Sequence, residues 1–179
     1  MRRLNMFLVA GMLVSFLAHA IMGSLQLVGA SSNALKIVAW ILVGLISAHV
    51  AVTAILTVQT LYARKKTGVR YFKNNLLFWA RRISGLTIII PLIMHLVIFR
   101  ASNANAYRLQ AFTTGRLISQ ILLIAAIALH VLINVKPALM SFGVKGHKVY
   151  AADIIFALSV LLLIFAAAFA VYYWRWIAY

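Results

Sequence analysis

Apolar residues along this chain gather into five long runs, at 6–28, 37–62, 76–99, 117–139 and 151–173, and most charged residues fall between the runs or near their edges. At about 1.5 Å of rise per residue, each run is long enough as a helix to cross a hydrocarbon core of about 30 Å. Helices are the only spanning structure the pattern allows. Backbone groups in lipid must satisfy one another, and no run shows the alternation of a membrane β-strand. Pro91 lies in the third run and Pro137 near the end of the fourth, where a local kink is tolerated. Turn-forming residues separate the runs at 29–33, 67–68, 102–105 and 143–146. The pattern predicts an all-α integral membrane protein of five transmembrane helices, with 1–179 as one membrane domain and little chain left for a soluble one.

Composition agrees: 65% of the residues are hydrophobic and 10% charged, whereas a soluble domain carries about a quarter charged residues. Seventeen lysines and arginines stand against a single acid, Asp153. They are dispersed between apolar runs rather than drawn into one stripe, which argues against nucleic acid and for membrane orientation and anionic lipid. Arg2, Arg3, Arg64, Lys65, Lys66, Arg70, Lys73, Arg81, Arg82, Lys136, Lys145 and Lys148 share one side of the membrane. Lys36, Arg100, Arg108, Arg116 and Arg175 take the other. That split of 12 to 5 puts the N-terminus in the cytoplasm by the positive-inside rule, in a multi-pass protein of the inner (cytoplasmic) membrane. The C-terminus is then outside, with Tyr172, Tyr173, Trp174 and Trp176 as an interfacial belt. Arg2 and Arg3 ahead of an apolar run, with Ala18-His19-Ala20 further on, have some features of a secretion signal. Because the apolar character continues to Val28, a retained first span is expected. Asp153 is expected at the start of the fifth helix, where a negative charge favours the helix N-terminus.

Candidate chemistry rests on the histidines. His19, His49, His95 and His130 fall one per run on the first four runs, and His147 falls in a loop. The first four runs form two pairs, and the second member of each carries His-Val, as His49-Val50 and His130-Val131. A single membrane histidine is readily explained by a hydrogen bond to a neighbouring helix. Four of them, in spans with few other ionisable groups, point to function. Arg3 to His19 spans about 24 Å of helix and Arg82 to His95 about 20 Å, which sets both toward the outer leaflet. Lys36 to His49 spans about 20 Å and Arg116 to His130 about 21 Å, which sets that pair toward the cytoplasmic leaflet. Two layers of two imidazoles suit the axial positions of two stacked haems better than zinc, which favours four ligands together. Cysteine is absent, so there is no thiolate ligand or c-type attachment, and any haem is held non-covalently as haem b.

This layout resembles the single-subunit, five-helix di-haem cytochrome b membrane anchors of succinate dehydrogenases and fumarate reductases. The local likeness is greatest at Trp79-Ala-Arg-Arg-Ile-Ser-Gly-Leu86, followed by Pro91 and His95-Leu96. The resemblance implies a haem-binding bundle in the first four helices, with His19 and His95 on the outer haem and His49 and His130 on the inner one. Haem propionates need cationic or hydroxyl partners; Arg81, Arg82, Arg64 and Tyr62 are candidates inside, and Arg100 and Arg108 outside. Each also has an ordinary reading as a topology or snorkelling residue.

The family further implies quinone, as menaquinone or ubiquinone, and soluble flavoprotein and iron–sulfur subunits docked on the cytoplasmic side. Arg82-Ile83-Ser84-Gly85 is similar to an Arg-x-Ser-Gly string near the quinone site of related anchors, so Arg82 and Ser84 are quinone candidates. The serine that precedes that arginine in those anchors is missing, with Phe78 in its place. Glutamate is absent altogether, so proton transfer through membrane glutamates does not carry over. The expected role is electron transfer, with the dicarboxylate active site on another chain. The alternatives are a cytochrome b subunit of a formate dehydrogenase or hydrogenase, and a haem-free transporter or scaffold.

Overall fold

A computed structural model describes residues 1–30, 34–65, 75–99 and 112–178. The described residues form six helices: α1 (Arg2–Leu27), α2 (Ala34–Lys65), α3 (Leu76–Leu86), α4 (Ile89–Ile98), α5 (Thr114–Ser141) and α6 (His147–Ile177). With α3 and α4 taken as one span, five segments are long and apolar enough to cross a membrane. Their outward surfaces carry large apolar side chains such as Phe7, Val14, Ile90, Phe156 and Leu163. Surface of that kind calls for lipid or a partner rather than water. Along α2, the hydroxyls of Ser47, Thr53, Thr57 and Thr60 donate to carbonyls one turn back, at 2.6 to 2.8 Å. Such back-bonding lets hydroxyls sit in an apolar span without a partner helix.

The third span breaks at Thr87 and Ile88. Pro91 has no N–H to offer the carbonyl four residues back, Thr87, and its ring crowds that same carbonyl. Pro91 therefore falls in the first turn of a new helix, where its missing donor costs little. Pro137 has a milder effect, and α5 continues past it to Ser141. Two loop glycines close the turn between α5 and α6, Gly143 and Gly146, each with φ of 76°, a left-handed conformation that glycine adopts without strain.

The helices do not all pack on one another. α1 packs on α2 and α6, α6 packs on α5, and α5 packs on both α3 and α4. Contacts of α1 and α2 with the α3–α5 group are marginal among the described residues. The bundle is thus two hairpins bridged along one side by α6, with a seam between them. Near one end of that bridge Ile98, Phe112 and Tyr172 form a buried cluster, joined by Leu27, Phe99, Leu117, Phe169 and Tyr173. Phe112 stacks on Phe169 with ring centroids 6.2 Å apart and meets Tyr172 edge-on at 5.0 Å. At the same end Arg175 reaches across to the Leu27 carbonyl at 3.5 Å, placing a cation at the C-terminus of α1 where the helix dipole favours it.

Three expectations change here. Tyr172 is only 3% exposed, so it turns inward rather than join an interfacial belt, while the partly exposed Tyr173 hydrogen-bonds Thr114 through their hydroxyls at 2.7 Å. Trp174 and Trp176 remain exposed. α6 begins at His147, which therefore opens a helix rather than lying in a loop. The early start leaves Asp153 beyond the first turn, where the dipole effect has faded.

Phe112→Ala should destabilise the protein by about 3–5 kcal/mol, as expected for removing a buried aromatic ring. Phe156→Ala, on the outward face, should change stability by no more than about 0.5 kcal/mol. Thermal unfolding in detergent micelles would compare the two.

Candidate functional site

His19 on α1 and His95 on α4 meet across the seam, with ring centroids 5.9 Å apart and planes at 77°. His49 on α2, His130 on α5 and Arg82 on α3 lie in one neighbourhood, and the Arg82 guanidinium lies 5.0 Å from the centre of the Phe78 ring. Of the two histidine pairs expected from depth along the chain, His19 with His95 is in ring contact.

The surroundings of the rings were not anticipated from sequence. Three polar side chains are buried among the described residues, Ser84, Ser119 and Gln120, and all three belong to histidine networks. His95 Nδ1 lies 2.7 Å from Gln120 Oε1. The Gln120 amide nitrogen donates to Ser119 Oγ at 3.0 Å, and Ser119 Oγ donates to the Arg116 carbonyl at 2.7 Å. Hydrogen directions follow from the end of the chain. A carbonyl only accepts, so Ser119 donates its single proton there and must accept from the Gln120 amide nitrogen. The Gln120 oxygen then faces His95, whose Nδ1–H donates to it. In this tautomer Nε2 keeps a bare lone pair, the form that binds a metal.

His130 has a shorter version. Ser84 Oγ lies 3.2 Å from the Arg81 carbonyl and 3.1 Å from His130 Nδ1. The Ser84 hydroxyl proton can serve either acceptor, and the Asn134 amide nitrogen also lies 3.4 Å from Nδ1, so these contacts orient the His130 ring without fixing its tautomer. Asn134 donates to the carbonyl of His130 at 2.8 Å. The His130 ring also lies against Gly85, where a Cβ would be in van der Waals contact with His130 Cε1 at 3.4 Å. Ser84 is 2% exposed and lies beside the His130 ring.

His19 Nδ1, His49 Nδ1 and Arg81 Nε are buried without a hydrogen-bond partner among the described residues. Tyr62 and Arg64 stand exposed at the end of α2, while Arg100 and Arg108 lie outside the described residues. One of the two histidine pairs has a spacing that a haem iron could use. Metal–imidazole bonds of about 2 Å place two opposed ring centres roughly 6 Å apart, close to the 5.9 Å between His19 and His95. A propionate would satisfy the buried Arg81 nitrogen. No group of three or more His, Asp or Glu side chains suited to a metal ion occurs among the described residues, whereas haem needs only two axial donors. Comparison with protein family models, curated proteins and solved structures found no match.

Ser84→Ala should leave His130 Nδ1 without its hydroxyl partner. The expected loss is about 1 kcal/mol, in the range of hydrogen bonds measured within membrane bundles. Unfolding in detergent reads the loss, and the ¹⁵N shift of His130 Nδ1 should move with it.

Proposed function

We propose that this protein is a di-haem cytochrome b that transfers electrons within a membrane, acting as the anchor subunit of a succinate:quinone or quinol:fumarate oxidoreductase. The observation that carries the haem reading is the facing of His19 with His95 at 5.9 Å between ring centroids, backed by the bare Nε2 that hydrogen bonding assigns to His95. His19 and His95 would hold one haem, and His49 and His130 the other. Bound there, haem would supply a one-electron couple. The protein's part is to hold four imidazoles in place, to exclude water, and to present cationic groups to the propionates at Arg81 and Arg82.

The choice of complex rests on the five-helix layout with ligands on the first four spans. Flavoprotein and iron–sulfur subunits would dock on the basic cytoplasmic face, and quinone would be the membrane partner. Arg82, beside Phe78, and Ser84, beside His130, are the quinone candidates. A dehydrogenase of the formate or hydrogenase type would instead copurify with a molybdenum or nickel subunit.

A reduced-minus-oxidised spectrum of the purified chain should show b-type absorption, and its absence would reject the haem reading. His49→Ala should remove the haem of its own pair and spare the other; equal loss of both in a folded protein would contradict the pairing. Orientation has its own test, because the chain contains no cysteine. Cysteines introduced as Ala30→Cys and Ala178→Cys should react with an impermeant maleimide added to spheroplasts, and Val144→Cys only after permeabilisation.

A further inference from the structure

The two histidines of each pair differ in what holds them. His95 and His130 are both anchored through Nδ1, and each anchor ends on a backbone carbonyl, at Arg116 and at Arg81. The Nδ1 atoms of His19 and His49 are buried with no such partner among the described residues. The anchors are also exchanged between helices. Ser84 on α3 serves His130 on α5, and Gln120 on α5 serves His95 on α4. Gln120 and His130 are separated by about 15 Å of helix, so α5 contributes to both histidine layers.

We infer that Gln120 is a positioning residue for His95: it fixes the ring's tautomer and direction and strengthens its donation to iron, while Ser84 holds the direction of the His130 ring. This inference rests on the haem reading above. Gln120 is fully buried, at 0% exposed, in the outer part of an apolar span, where an amide is costly unless every polar atom is engaged. Its two polar atoms are engaged, one on His95 and one on Ser119. Partners of this kind orient metal-binding imidazoles, raise their donor strength, and commonly matter 10–100-fold in metal affinity. A stronger donor favours ferric over ferrous iron and so lowers the reduction potential. The contact to His95 at 2.7 Å is shorter than that to His130 at 3.1 Å, and its partner is an amide oxygen rather than a hydroxyl. The effect belongs to the His19–His95 haem.

The test is redox titration and haem quantitation of the full chain in detergent, with Gln120→Leu, Gln120→Glu and Ser84→Ala. Gln120→Leu should raise the midpoint of the His19–His95 haem by about tenfold in the redox equilibrium, about 59 mV for one electron. It should also weaken retention of that haem by roughly 10–100-fold and leave the His49–His130 haem unchanged. Gln120→Glu keeps an acceptor toward Nδ1–H and should retain the haem with a lowered midpoint. Ser84→Ala should move only the other haem. An unchanged midpoint and haem content in Gln120→Leu, or equal changes in both haems, would overturn the inference. If Gln120→Leu does not fold, Gln120→Glu decides by whether the midpoint falls or stays. Should the wild-type chain hold no haem at all, the parent reading fails. The ¹⁵N shifts of His95 then still report whether Gln120 holds the Nδ1–H tautomer.

Discussion

An imidazole carries a donor and an acceptor that hydrocarbon cannot satisfy, and this requirement sets where the helices of this protein must meet. Each of its four spanning histidines needs a polar neighbour or a metal. Few side chains at depth can provide either, since the apolar runs are long and hydroxyls such as Thr53 and Thr57 spend their protons on their own helix. The histidines and the three buried polar side chains therefore lie together. What results is a polar seam inside an apolar bundle. The rest of the architecture flanks that seam along one side, where α6 packs on α1 and on α5.

α6 carries no ligand, yet the arrangement depends on it. It is the element that packs on both hairpins, on α1 and on α5. Phe165 on α6 meets Phe16 on α1 edge-on at 6.4 Å, while Phe169 and Tyr172 join Phe112 and Phe99 beside His95. Aromatic pairs of this kind add directional preference to apolar contact, which helps to hold the α4 end of the seam. Ser84 on α3 and His95 on α4 are eleven residues apart, close to three full helical turns, so both reach partners on α5 despite the break before Pro91.

The spans were legible in sequence because membrane length and apolar runs are coupled directly. The kink at Pro91 and the turn at Gly143 were legible because proline and glycine act through their own backbone. The facing of His19 with His95 could be read from helix rise, counted from charges at the membrane edge. The anchors could not. Gln120 and Ser84 are single polar residues in apolar runs, and identifying their partners needs the rotation of one helix against another, which periodicity leaves open. The available signal was a Ser-Gln pair inside a span, where an amide requires a partner. Tyr172 was misplaced for a related reason: an aromatic residue near a helix end suits the interface and the core alike, and only the opposing Phe112 decides between them.

The internal repeat sharpens the meaning of the asymmetry between the hairpins. Aligning His19 with His95 puts Leu8 in the place of Ser84, and aligning His49 with His130 puts Ala39 in the place of Gln120. Neither leucine nor alanine offers an acceptor, so the first hairpin cannot fix its rings as the second does. On the di-haem reading proposed above, one anchored ring in each pair would set the position of the iron and the ring opposite would match it. The repeat thus preserves one histidine per helix, while among the described residues Nδ1 partners are given to His95 and His130 and not to His19 and His49.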